Sequence, residues 1–403
     1  MTKIRLKRGK DESLRRFHPW VFSGAIQDID DDIAEGDIVK VLTDRGEFIA
    51  IGHYQQGSIA VRVLTFSDVP IDDDFWFARL KSALQMRISI GLANTGGEVP
   101  SDRFTNAYRL VHGEGDLLPG LIIDIYDKTA VMQAHSIGMH LCRHQIARQL
   151  VAVMGKRIEN VYYKSETTLP FMEPENGYIY GDSDDNTAIE NGLRFYVDWQ
   201  KGQKTGFFVD QRENRALLEQ YAHGRRVLNM FCYTGGFSFY AMRGGATLVH
   251  SVDSSAKAIE LTRRNVELNF PGDPRHEAFC EDAFKYLESI GTSGHEGKGP
   301  YDLFILDPPA FAKHRGALHN ALKGYTRLNQ KAMEKMPAGS ILFTFSCSQV
   351  VTKDHFRNAV FTAAALARRK VRILHQLHQP ADHPINIYHP EGEYLKGLVL
   401  YVE

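Results

Sequence analysis

Apolar and polar positions change rhythm along this chain. Over residues 1–70 they alternate in short runs, Ile4-Arg5-Leu6-Lys7, Ile38-Val39-Lys40-Val41, 48–51 and 60–64, separated by turn residues. That pattern predicts a small β-barrel. From Phe75 the spacing becomes helical, with Phe77, Leu80, Leu84 and Ile88 completing one face. A break at Gly96-Gly97 follows. Two strands joined by the turn-rich loop 109–120, a helix over 140–153 and a strand over 161–164 then predict an α+β unit. Asn191-Gly192 between two apolar runs is a hairpin signal. Beyond a helix ending near Tyr221, strands are expected at 227–231, 248–253, 276–280, 303–306, 340–345, 371–377 and 394–402. Helices are expected at 237–243, 255–269, 282–290, 323–336 and 353–368. Such alternation predicts an α/β domain built on a mostly parallel seven-stranded sheet with helices on both faces. Three domains are expected, 1–70, 71–186 and 187–403.

Composition narrows the function classes. At 403 residues and a net charge of −1 the chain has no global pull toward nucleic acid or membrane, so any such attraction must be local. Cys142, Cys232, Cys280 and Cys347 form no C-x-x-C pairs, which argues against a zinc site or a disulfide framework and for a reducing compartment. The start has no apolar signal core, and no apolar run spans a bilayer; a soluble, cytoplasmic protein is expected. The local charge lies in Lys3, Arg5, Lys7, Arg8, Lys10, Arg15 and Arg16, ahead of His18-Pro19-Trp20-Val21-Phe22. Alternation sets Lys3, Arg5 and Lys7 opposite Ile4 and Leu6. An acidic run (Asp28, Asp30, Asp31, Asp32, Glu35, Asp37) follows, so the face is polarised, in a manner suited to phosphate-backbone docking.

The stretch 227–253 reads as strand, glycine turn (Gly235-Gly236), helix and second strand ending in Asp253. This βαβ unit brings backbone close to a ligand and an acidic residue to a ribose. Two adjacent glycines in place of G-x-G-x-x-G favour an adenosyl group over a dinucleotide. Ligands of open α/β sheets lie beyond the carboxyl ends of the strands. The residues there run from Asn229 to Gly236, then Asp253, Asp282, Asp307-Pro308-Pro309 and Ser346-Cys347-Ser348. Asp282 suits an adenine amino group, and both Asp253 and Asp282 also suit helix N-caps. Two prolines stiffen the Asp307 loop and remove its donors. Cys347, between two serines at a strand end, reads as a nucleophile; Cys232 reads as packing. Arg109, His112, Glu114 and Asp116 read as hydrogen-bonding a tight loop.

Several motifs together carry a resemblance. They are 203–212 (Gln-Lys-Thr-Gly-Phe-Phe-Val-Asp-Gln-Arg), 231–237, Asp307-Pro308-Pro309-Ala310-Phe311, Thr344-Phe345-Ser346-Cys347-Ser348 and Asp382-His383-Pro384 followed by 390–397. They resemble the bacterial large-subunit rRNA cytosine-C5 methyltransferases with an N-terminal PUA domain. Ala310 stands where that family has a lysine. The resemblance implies a Rossmann-like class I methyltransferase domain, S-adenosylmethionine as cofactor, and 23S rRNA or a large-subunit precursor as partner. No membrane and no metal are expected, and a homodimer is left open. The implied cofactor residues are Lys204, Gly206, Phe207, Asp210, Arg212, Asn229, Phe231, Tyr233, Thr234, Gly235, Gly236, Asp253, Ser254, Asn265, Asp282, Ala283 and Asp307. Cys347 and Asp307 are the implied catalytic residues; Lys3, Arg5, Lys7, Pro308 and Pro309 are the implied RNA contacts. The chemistry agrees with this reading. Cytosine C5 becomes nucleophilic only when something adds to C6, as a Cys347 thiolate would, and Asp307 at the N3/N4 edge would stabilise charge on the ring. Two alternatives stand beside it, an exocyclic-amine RNA methyltransferase and a non-catalytic RNA-binding or ribosome-assembly factor.

Overall fold

The computed structural model describes residues 1–93, 101–169, 175–291, 299–312 and 314–403; the Gly96-Gly97 break lies outside them. The chain forms two compact units. One comprises Met1–Gly192, Val197–Val209 and Ala381–Gly392, the other Leu193–Tyr196, Asp210–Pro380 and Glu393–Glu403.

In the first unit a six-stranded sheet runs Trp20–Phe22, Ile59–Thr65, Phe48–Tyr54, Ile38–Leu42, Thr2–Leu6, Ile26–Ile29. Every neighbouring pair is antiparallel except Thr2–Leu6 beside Ile38–Leu42. The alternation is realised. Ile4, Leu6, Val39 and Val41 are buried together, and Lys3, Arg5 and Lys7 face solvent. The Trp20–Phe22 and Ile26–Ile29 strands are additions to the sequence reading. The first has three residues, and the second buries none of its four, so neither shows a period of two.

A five-stranded sheet follows, ordered Asn176–Tyr180, Asn160–Lys164, Thr129–Ala134, Leu121–Tyr126, Ala107–His112. The helices Asp73–Ser89 and Arg143–Met154 share its core through Trp76, Leu80, Leu84, Ile146 and Leu150. The Asp72 side chain caps the first helix by accepting from the Phe75 amide at 3.1 Å. That helix buries Trp76 and Arg87; Phe77 lies off the buried face.

Arg87 explains why a charge is tolerated there. Its guanidinium donates to both oxygens of Asp116, to the Arg109 carbonyl at 2.7 Å and to the Asp382 carbonyl at 2.8 Å. Arg109 forms a bidentate pair with Asp124 at 2.8 Å for each bond, while its amide donates to the Asp382 carboxylate at 3.0 Å. Arg109 and Asp116 thus hold the loop, as the sequence suggested. The same network fastens the distant segment Ala381–Gly392 to the sheet. A buried pair of this kind specifies geometry more than it adds net stability, and removing one partner leaves a costly bare charge.

The second unit is a seven-stranded sheet. In chain order the strands are Arg226–Met230, Leu248–Asp253, His276–Cys280, Leu303–Leu306, Ser340–Ser346, Val371–His378 and Lys396–Val402; across the sheet they run third, second, first, fourth, fifth, seventh, sixth. The first five are mutually parallel, and the seventh is antiparallel to both neighbours. This is the mostly parallel, doubly wound sheet expected. The order reverses between the first and fourth strands, so the switch point lies where 231–236 and 307–309 leave the sheet. The helix expected at 323–336 begins earlier, at Leu318.

His53 is 1% exposed, its ring stacked beside Trp76 at 6.2 Å, and burial, reinforced by Arg62, pulls its pKa down to about 4. Between pH 4 and 6.5 the unfolded chain binds the proton that the folded chain refuses, so stability is lost as pH falls through that window. The loss attributable to His53 approaches about 3 kcal/mol at its lower end. Denaturant unfolding at pH 7 and pH 4.5 should show it, and His53→Gln should flatten the slope; an unchanged slope would assign the acid sensitivity elsewhere.

Candidate active site

At the end of the Arg226–Met230 strand the chain bends sharply. Phe231 (φ 59), Tyr233 (φ 48) and Gly235 (φ 83) all occupy the left-handed region. Non-glycine residues held there cost energy and persist only where the surroundings over-determine them. The surroundings are visible. The Tyr233 amide donates to Asp253 Oδ2 at 3.0 Å, and the Cys232 amide to the Val252 carbonyl at 3.1 Å. The Thr262 hydroxyl donates to the Tyr233 carbonyl at 2.9 Å, and Asn265 Nδ2 to the Thr234 carbonyl at 3.2 Å. Beneath the turn, Asn229 Nδ2 donates to Ser238 Oγ, which lies 2.7 Å from Ser251 Oγ.

The implied cofactor residues around this turn and the next two strand ends fall into three groups. Asn229, Thr234, Gly235, Gly236, Asn265 and Ala283 are buried; Phe231, Tyr233 and Asp253 are half-buried, and Ser254 and Asp282 are exposed. Asn265 also accepts from the Tyr196 amide at 2.8 Å, so both ends of its amide hold the protein together. Asp253 Oδ1 takes the Ser255 amide at 2.9 Å, and Asp282 Oδ1 takes the Phe284 and Lys285 amides as an N-cap. Each carboxylate keeps acceptor capacity for a hydroxyl or an amine, since a carboxylate offers about four lone-pair positions. Cys232 is packing, as read. Burial pushes its thiol far above the ordinary range, and its Sγ lies 3.8 Å from Thr262 Oγ1.

Asp307 leaves the neighbouring fourth strand half-buried. Its Oδ2 accepts from Gln211 Nε2 at 3.0 Å, and Gln211 in turn accepts from Asn214 at 2.6 Å. Pro308 is buried and Pro309 exposed. Asp210 and Arg212 are buried at the start of the helix Arg212–Tyr221, with the Tyr394 hydroxyl donating to Asp210 at 2.7 Å. Lys204, Gly206 and Phe207 belong to the first unit. There Thr205 Oγ1 donates to Asp124 at 2.6 Å, and a Cβ at Gly206 would lie 2.7 Å from the Trp199 nitrogen.

Cys347 follows the adjacent fifth strand, half-buried and reduced. Its flanking serines fix it. Ser346 Oγ donates to the Tyr325 hydroxyl at 2.9 Å, and Ser348 Oγ to the Ala312 carbonyl at 2.5 Å. The Tyr325 ring lies 4.6 Å from that of Phe311, so both ties reach the loop that begins at Asp307. Lys396, unassigned from sequence, lies opposite Ser346 in the ladder and is 5% exposed. Its ammonium donates to the Ser348 and Val351 carbonyls at 2.5 Å each. Burial pulls its pKa down to about 8, against which the electrostatic pull of Cys347 raises it. A buried positive charge thus braces the loop; only the tail motif 390–397 hinted at it.

In the first unit Arg5 lies directly across the ladder from Asp28, and the Lys3 amide donates to the Asp30 carboxylate at 2.8 Å. The acidic run therefore lies on the strand beside the basic residues.

A family model for S-adenosylmethionine-dependent methyltransferases matches residues 175–386, and one for a PUA-like domain matches residues 4–66. The ribosomal RNA large subunit methyltransferase I of Alteromonas mediterranea is 38% identical over 407 residues, covering 100% of this chain and 99% of that protein. That of Tolumonas auensis is 39% identical over 408 residues, covering 99% of each. The chain belongs to the ribosomal RNA large subunit methyltransferase I family. It is an S-adenosylmethionine-dependent methyltransferase with an N-terminal PUA-like domain, as the motifs implied. A structure described as a SAM-dependent methyltransferase from Streptococcus mutans shares the fold, at TM-score 0.82 and 21% identity over 99% of this chain and 100% of that one. A methyltransferase complexed with SAH does so at TM-score 0.83 and 22% identity, with the same coverage. The turn at the switch point and the carboxylates at three strand ends suit the adenosyl and ribose groups of this cofactor.

A Cβ at Gly235 would lie 2.7 Å from Phe239 Cζ and 2.8 Å from Thr262 Cγ2, in a backbone conformation that L side chains avoid. Gly235→Ala should therefore lower stability by about 1–3 kcal/mol and weaken S-adenosylmethionine binding by roughly tenfold, read by calorimetry. Unchanged affinity would separate the turn from the cofactor.

Proposed function

We propose that this protein methylates C5 of a cytosine in 23S rRNA, with Cys347 adding to C6 of the target base. The observation that supports this reading is the segment Ser346-Cys347-Ser348, tied by Ser348 to the loop of Asp307 and by Ser346 to Tyr325, and braced by the Lys396 ammonium. A methyltransferase acting on an exocyclic amine needs no cysteine, whereas C5 chemistry needs a fixed thiolate. S-adenosylmethionine, when bound, supplies the methyl group from its sulfonium. Cys347 forms a bond to C6, and the electron pair so released makes C5 nucleophilic. Asp307, oriented by Gln211, in its protonated form donates a proton to N3 and so offsets the negative charge that addition at C6 places on the ring. After methyl transfer the C5 proton goes to a base and the Cys347–C6 bond breaks. The target base must be unstacked to reach the site.

In this reading Asp210, Arg212, Asn229, Phe231, Tyr233, Thr234, Gly235, Gly236, Asp253, Ser254, Asn265, Asp282, Ala283 and Asp307 shape or contact the cofactor. A cofactor role for Lys204, Gly206 and Phe207 rests on their motif, and RNA contacts of Pro308 and Pro309 rest on their place beside Asp307. The work divides among residues 1–70 (RNA docking), 71–186 (linking) and 187–403 (catalysis). No helix among the described residues is long and apolar enough to cross a membrane. A large-subunit RNA partner would place the protein in the cytoplasm. The comparisons give a homodimer no support.

Cys347→Ala should abolish methyl transfer to rRNA while S-adenosylmethionine affinity stays within a few-fold; full activity in that variant would remove the nucleophile. Lys3, Arg5 and Lys7 should each neutralise a phosphate. Their triple alanine variant should flatten the salt dependence of RNA binding by roughly two units of slope, and an unchanged slope would take this face out of the footprint.

A further inference from the structure

The segment Ala381–Gly392 brings His389 and Glu391 beside His18 within the first unit. The His18 and His389 rings are 5.6 Å apart, and one imidazole-facing donor atom from each of the three residues lies within 4.8 Å of the others. His18 Nε2 is 3.5 Å from Glu391 Oε1, and His389 Nε2 is 3.7 Å from Glu391 Oε2. Both separations are long for a hydrogen bond. They match the spacing of about 3.4 Å between two ligand atoms bound tetrahedrally to one zinc ion at its usual bond lengths.

A second observation points the same way. His389 is 3% exposed, and neither ring nitrogen has a hydrogen-bond partner. Buried polar atoms in that state call for an absent water or ion. The Trp20 ring, 4.3 Å away and edge-on, fixes the His389 imidazole, and Trp20 Nε1 is itself taken by Glu114 at 2.8 Å. His18 Nδ1 lies 3.4 Å from the Trp20 carbonyl. The Trp20 amide also donates to His18 Nδ1 at 3.3 Å, so His18 offers its Nε2 lone pair to a metal only when metal binding selects the tautomer protonated at Nδ1, which turns that proton toward the Trp20 carbonyl. Glu391 is partly exposed and leaves the site open on one side.

We propose that His18, His389 and Glu391 form a site for a divalent transition-metal ion of zinc type, two imidazoles and one carboxylate with a fourth position for water. The ion clasps the segment Ala381–Gly392 to the first unit at the end opposite the Asp382 anchor. This site is independent of the methyl-transfer reading.

The full-length protein should be titrated with Co2+ alone, followed by visible absorption, and with Zn2+ alone, followed by calorimetry. Wild type should bind one equivalent with a tetrahedral cobalt spectrum lacking sulfur-to-metal bands. Glu391→Gln and His389→Gln should each bind roughly tenfold more weakly or worse, and zinc should raise the Tm of wild type but not of Glu391→Gln. Glu391 is partly exposed, so its variant is expected to fold, and circular dichroism checks both. The proposal is overturned if wild type shows no saturable binding, if both folded variants bind as wild type does, or if the spectrum reports thiolate ligation.

Discussion

The second unit depends on one strained turn. Between Met230 and Gly236 the backbone enters the left-handed region three times, twice at residues with large side chains. A short, stiff exit from the first strand is what brings backbone up to a ligand at the switch point, and the strain is carried by partners that the fold supplies. Asp253 shows how economically this is arranged. One oxygen holds the Tyr233 amide, the other holds the Ser255 amide, and the carboxylate remains half-exposed at its strand end. The same side chain closes the turn and presents charge to whatever sits above it.

The second loop is organised by hydroxyls and one buried cation. Ser348 is bonded to the Asp307 loop at Ala312 and Ser346 to Tyr325 on the helix that follows it, so Cys347 is held by its neighbours from both sides. Lys396 places an ammonium under the carbonyls of that loop. In the proposed reaction Cys347 acts as a thiolate. Preorganisation here means that the polar groups are already aimed before any substrate arrives.

Much of this was legible in the sequence because it lies in local pattern. The buried parallel strands at 227–230, 303–306 and 340–346 are short apolar runs, and Asp253, Asp307 and Ser346 sit at the carboxyl edge of the sheet as their positions in the sequence implied. The tight loop around Arg109 and Asp116 was also readable from composition, although not its partners. Arg87 and Asp382 meet across 295 residues, and no spacing rule reaches that far. Lys396 reads as an ordinary strand residue until its bonds 48 and 45 residues back are seen. Thr129–Ala134 was missed because the strand is buried throughout and follows a two-residue reversal, Asp127-Lys128, with Asp127 at φ 51, leaving neither alternation nor a glycine to mark it. Ile26–Ile29 escaped notice for the opposite reason, being an edge strand that buries almost nothing.

The measurement that bears most directly on this account is nucleoside analysis of protein-free 23S rRNA after incubation with the full-length protein and S-adenosylmethionine carrying an isotopically labelled methyl group. The account predicts label in 5-methylcytidine and in no other nucleoside. Label in an N-methylated base would contradict it, and so would transfer that leaves the RNA unlabelled.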